Sequence, residues 1–215
     1  MREVELEIVT VLINALNHEA QRRGLLTRDQ SITEEIAFSL VRDMPYARAS
    51  NRDPLTTIDE WKGTCSGKHY LLKGLFEDLG MTVRLYAGLI YYSIDNCPWL
   101  PENLRILVEN EPLADIHNFV RLETAPGIFT LVDATFPSLA RSYGLVVNNF
   151  NPSVDMVPIL PIKQEFEVPS DNDPQEFKNT LIDRYCGQFM EEREQFIGLL
   201  SNWLGSFADS KGTKL

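Results

Sequence analysis

The sequence predicts an α+β domain, and three observations predict it. Apolar residues recur at helical spacing before Pro45. A helical pattern led by Cys65 gives way to β-branched and aromatic runs that end near Pro137. A second long apolar stripe at helical spacing begins at Pro174. With 215 residues the chain has room for one domain and its terminal additions, and too little for two full domains. Its 44% hydrophobic and 24% charged residues are those of a chain that folds.

In order along the chain, Val4, Ile8, Val11, Leu12, Ala15 and Leu16 keep one helical face apolar, and Gly24 supplies a stop. Ser31 with Glu34 three residues on reads as a capping box for a second helix, which Pro45 ends. Residues 46–57, with Asn51, Asp53 and Pro54, have no apolar period and read as a surface loop. These parts make up an N-terminal helical portion, 1–57, ahead of a core at 58–140.

The core opens with Gly63-Thr64-Cys65-Ser66-Gly67. A helix follows in Tyr70, Leu71, Leu72, Leu75, Phe76 and Leu79, with Gly80 at its left-handed cap. Val83 to Tyr92 is a strand pattern, and two more strands, Ile116 to Glu123 and Ile128 to Phe136, flank the turn residues Thr124-Ala125-Pro126-Gly127. Residues 141–173 hold Pro152, Pro158, Pro161 and Pro169 and predict an extended wrapping segment. Asp173-Pro174 then opens one C-terminal helix over 174–208. Its stripe, which includes Phe177, Leu181, Phe196 and Trp203, predicts docking on the parent domain or pairing in a homodimer.

The chemistry gathers at Cys65. A thiol is a good nucleophile only as the thiolate, and the unpaired N–H groups and aligned dipoles of a helix N-terminus favour that form. His117 lies on a predicted strand and supplies a base, and Asp133 on the next strand supplies a carboxylate to orient it. A hairpin closed near Ala125 and Pro126 pairs residues whose numbers add to about 250, which sets His117 opposite Asp133, with Cβ atoms roughly 4.5–5.5 Å apart.

These segments resemble the transglutaminase-like superfamily, whose fold is related to that of papain. The resemblance covers roughly Ile58 to Pro137. It is carried by Trp61-Lys62-Gly63-Thr64-Cys65, by Leu71 to Gly80 with Val83 to Gly88, by His117 to Glu123, and by Leu131 to Pro137. It implies a Cys-bearing helix packed on an antiparallel sheet, with Cys65 as nucleophile, His117 as base and Asp133 as orienter. The reaction it implies is attack on an amide or ester carbonyl through a thioester, in a hydrolase such as a peptidase or amidase, or in an acyltransferase. In such a site the Cys65 N–H and one upstream donor stabilise the oxyanion, and Trp61 is the candidate for that donor. Calcium sites and zinc-binding CxxC pairs of larger family members have no counterpart here.

The bulk properties narrow the partners. A net charge of −11 opposes nucleic acid and anionic membranes as partners; the substrate that the resemblance implies is a peptide, protein or small amide. An acidic N-terminus and the absence of a long apolar run give a cytoplasmic expectation. Cys65, Cys97 and Cys186 read as reduced thiols, and no cofactor is expected. A metal held by Cys65, His69, His117 and Asp133 is the rival at the site, with none the preferred reading. The rival for the whole chain is a non-catalytic interaction module that keeps the fold.

Overall fold

The computed structural model describes residues 11–209, the last two by backbone alone. Its helices are α1 Val11–Arg22, α2 Glu34–Asp43, α3 Pro54–Glu60, α4 Cys65–Asp78, α5 Glu102–Arg105, α6 Pro174–Cys186 and α7 Met190–Asp209. Its strands are β1 Val83–Tyr92, β2 Leu113–Ala125, β3 Ile128–Val132 and β4 Gln164–Glu167, paired antiparallel in the order β3-β2-β1-β4. The α+β class is therefore observed. Among the described residues no helix is long and apolar enough to cross a membrane.

The local signals were informative, with corrections. The start of the first predicted helix, residues 4–10, lies outside the described residues; from Val11 the helix is present and Gly24 follows it with φ 70°. The cap of α2 is Thr33 and not Ser31: the Thr33 hydroxyl accepts the Ile36 N–H at 3.3 Å, so helical geometry begins only at Glu34. The stretch read as loop contains α3, because the Asp53 carboxylate accepts the Leu55 and Thr56 N–H groups and Pro54 fits the first turn. α4, Gly80 with φ 79°, and β1 fall where the pattern set them.

The segment read as extended wrapping also contributes β4, which pairs with β1 and extends the sheet on that side. The single C-terminal helix is two helices. Gly187 and its neighbours form a 3-10 turn between α6 and α7, and glycine's poor helix propensity makes this the weak point of the run. The break lets α6 pack against β2 beside α4 while α7 covers a different core.

There are two cores. Phe38, Val41, Leu71, Leu75 and Phe76 of the helices pack with Leu85, Ile116, Val120 and Leu122 of the sheet. Tyr46, Ile90, Tyr92 and Phe136 pack with Phe196, Leu200 and Leu204 of α7. The C-terminal stripe is thus buried against its own chain, and Trp203 stacks on Trp99 with centroids 6.1 Å apart.

One buried ion pair fixes α7 on the sheet. Arg193 Nε donates to Asp115 Oδ1 at 2.8 Å, and both residues are buried. Removing one partner strands a charge in the interior, so Arg193→Ala is expected to lower stability by about 3–5 kcal/mol in equilibrium urea unfolding.

Candidate active site

Cys65 is the first residue of α4, after the extended residue Thr64, so its sulfur stands at the positive end of a helix. Two tight approaches fix that end. A Cβ on Gly63 would lie 3.1 Å from Lys68 Cγ, and one on Gly67 would lie 3.2 Å from Thr57 Oγ1. The Cys65 N–H meets the Tyr46 hydroxyl.

The strands deliver the other two groups, in a register different from the expected one. Val120 faces Val132 and Arg121 faces Leu131, so opposed residue numbers add to 252, with an irregularity between Glu123 and Ala125. The turn is centred on Pro126-Gly127, where Gly127 takes φ 76°, and β3 stops at Val132. His117 and Asp133 are therefore not direct partners in the ladder. Continued beyond its end, the observed register would set Thr135 opposite His117, and Asp133 is its diagonal neighbour. Side chains on one sheet face still meet at that offset, and His117 Nε2 donates to Asp133 Oδ2 at 2.8 Å.

Asp133 is fully engaged. Besides His117, Oδ2 accepts the Ile159 N–H at 3.2 Å, and Oδ1 accepts the Thr135 N–H at 3.0 Å and the Thr135 hydroxyl at 2.6 Å. Burial would push its carboxyl up, but the charge and hydrogen bond of His117 hold it well below the usual carboxylate range. His117 Nδ1, the other ring nitrogen, has no aligned hydrogen-bond partner, and the His117 ring interacts with the Cys65 side chain. Burial alone would lower His117; the charge and hydrogen bond of Asp133, followed by the Cys65 contact, raise it to about 9. Burial would likewise raise the Cys65 thiol, but the charge of Lys178 and the hydrogen bond and charge of His117 bring it down to about 6. All three residues are buried, with relative exposures of 7% for Cys65, 2% for Asp133 and 1% for His117.

His69, one turn after Cys65, is a support. Its Nδ1–H donates to the Cys65 carbonyl at 2.8 Å and its Nε2 accepts the Ala134 N–H at 3.0 Å, which defines a neutral tautomer. Burial lowers its pKa to about 4. With both nitrogens engaged by the backbone, His69 pins the first turn of α4 to the chain leaving β3. Among the described residues no group of three or more His, Cys, Asp or Glu side chains is arranged to hold a metal ion. Trp61 sits at the end of α3 with φ 51°; its main-chain N–H is bonded to the Ile58 carbonyl and its ring lies 4.9 Å under Arg23. The hydroxyl found at the Cys65 N–H is that of Tyr46.

Several groups escaped the sequence reading. Thr135 is two residues after Asp133, a spacing at which side chains bond their own backbone, and could have been read. Tyr46, Asn118 and Lys178 reach the site only through the fold. Cys97 and Cys186 are buried, and burial pushes both thiols up to about 11.

No protein-family model matches the chain, and no curated protein matches it. The class is defined by the fold and the site together: an α+β domain holding a buried histidine bonded to an aspartate, with a helix-tip cysteine interacting with that histidine.

Cys65, brought down to about 6, is far richer in thiolate at neutral pH than Cys97 and Cys186, both pushed up to about 11. Iodoacetamide at pH about 6.5 is expected to label Cys65 and to leave Cys97 and Cys186 unlabelled. Peptide mass spectrometry reads the three sites separately, and equal labelling of all three would contradict the assignment.

Proposed function

We propose that this chain is a transglutaminase-like cysteine enzyme that cleaves an amide or ester carbonyl of a peptide, protein or small amide through a thioester on Cys65. The observation that carries the reading is a helix-tip thiol that interacts with an imidazole itself held at 2.8 Å by a buried carboxylate. The resemblance of the Cys65, His117 and Asp133 segments to that superfamily supports the same assignment.

The residues suit each step. The thiolate attacks the carbonyl carbon, and the tetrahedral oxyanion finds the Cys65 N–H, with the Tyr46 hydroxyl beside it as the second candidate donor. His117, charged up to about 9, gives its proton to the departing amine or alcohol and then accepts one from the water that resolves the thioester. Asp133 keeps the ring oriented and stabilises its cation. Tyr70, whose hydroxyl donates to the Pro174 carbonyl at 3.2 Å and also contacts Ser66, the neighbour of Cys65, lines a groove of about 630 Å³ together with Val168, Pro174 and Gln175; Cys65, His117 and Asp133 do not line it.

The active form is thiolate with imidazolium. It appears as pH rises through about 6, where Cys65 ionises, and is lost as pH rises through about 9, where His117 loses its proton. A bell-shaped kcat/KM with those two limbs is expected on an activated ester or anilide. Intact-mass spectrometry should find the acyl group on Cys65 and no adduct in Cys65→Ala. His117→Ala should lower kcat by about 10²–10⁴-fold. Turnover that survives Cys65→Ala would refute the reading.

A further inference from the structure

Lys178 is out of character for its position. On α6 the buried stripe is Lys178, Leu181, Ile182 and Cys186, so a lysine stands where the helical period calls for an apolar side chain. It is 5% exposed. Long cations are almost never buried unless they are paired, because removing an ammonium from water is costly. Among the described residues Lys178 forms no ion pair with a carboxylate; its Nζ donates to Ser66 Oγ at 2.9 Å and to Cys65 Sγ at 3.5 Å. The Ser66 hydroxyl spends its own proton on Asn118 Oδ1 at 3.0 Å, and Asn118 Nδ2 is bonded to the Tyr86 carbonyl at 3.2 Å. Ser66 is thereby held as an acceptor towards Lys178, and the ammonium is aimed at the sulfur.

The carboxylate whose charge reaches Cys65 is occupied. Asp115 lies on β2 two residues before His117, and Arg193 of α7 donates to it through both Nε and Nη2. Among the described residues the ionisable partner that Lys178 contacts is Cys65.

We propose that Lys178 is a catalytic residue of this centre: its ammonium pairs with the Cys65 thiolate, so that His117 is free to move protons while Lys178 keeps the sulfur anionic. The inference rests on the acyl-transfer reading and deepens it. In acylation the C–S bond forms, the carbonyl's bond to nitrogen or oxygen breaks, and the His117 proton leaves with the amine or alcohol. In deacylation water attacks, His117 takes its proton, the C–S bond breaks and the thiolate departs onto Lys178. Lys178 keeps its proton in both halves and is never acylated.

The titratable groups that interact with the Cys65 sulfur come from several elements. These are Lys178 from α6, His117 and Asp115 from β2, Lys68 and Tyr70 within α4, Tyr46 from the loop after α2, and Tyr92 from β1. Of these, Lys178 and His117 are the two cations that favour the thiolate, Lys178 from 3.5 Å, and a variant of each separates them.

The test is the pH profile of Cys65 alkylation by iodoacetamide, followed by peptide mass spectrometry in the full-length protein. Wild type is expected to titrate near pH 6. Lys178→Met keeps the aliphatic stem and removes the charge; its midpoint should rise by at least about one unit, slowing labelling at pH 6 by at least about fivefold, while Lys178→Arg stays near wild type. A Lys178→Met profile that overlays wild type at matched thermal stability overturns the proposal and leaves the triad intact. Wild type that fails to label Cys65 selectively sinks the triad reading instead. A second measurement needs no folded Lys178 variant: the ultraviolet thiolate absorbance of His117→Gln should still report a thiol ionising below the ordinary value of about 8.5. A return to that value or above would assign the whole effect to His117 and overturn the proposal, as would an acyl group recovered on the Lys178 amine.

Discussion

The Asp133 carboxylate is the constraint on which the site is built. A buried carboxylate is tolerated only when its lone pairs are filled, and here the donors come from β2, from the chain leaving β3, and from the segment around Ile159. Each donor fixes a different piece of chain around one anion. His117 is oriented by it and charged because of it. Ala134, next in sequence, donates to His69, which in turn holds the Cys65 carbonyl, so the same short stretch also sets where the sulfur stands.

Charge is distributed accordingly. The chain as a whole is strongly acidic, yet the interior around the site holds the cations Lys68, Lys178 and Arg193, all buried. Lys68 donates to the Arg42 and Thr135 carbonyls, at the C-terminal end of α2 where the helix dipole favours a cation, and burial lowers its pKa to about 7. Arg193 neutralises Asp115, which would otherwise oppose a thiolate. An anionic sulfur is sustainable in a dry site because the surrounding elements supply this compensation in advance.

The two C-terminal helices are part of this arrangement and not an appendage to it. Gly187 divides one amphipathic run so that α6 presents Lys178 to the sulfur while α7 presents Arg193 to Asp115. A continuous helix would hold both residues on one straight rod. The second core, with Phe196, Leu200 and Leu204 packed on Tyr46, Tyr92 and Phe136, sets the distance of α7 from the sheet.

By itself the sequence determined the α+β class, the start and end of α4, β1, and the order of Cys65, His117 and Asp133, because periodicity, caps and turn residues act over a few positions. It missed α3 although Asp53-Pro54 repeats the pattern of Asp173-Pro174, since a seven-residue helix has almost no period to see. The tertiary structure decided the rest: the ladder offset set by the irregularity after Glu123, β4 joining β1, and the arrival of Lys178 at Cys65 across 113 residues of chain. Contacts at that separation depend on how whole elements pack and how buried charges find partners, which no local pattern encodes.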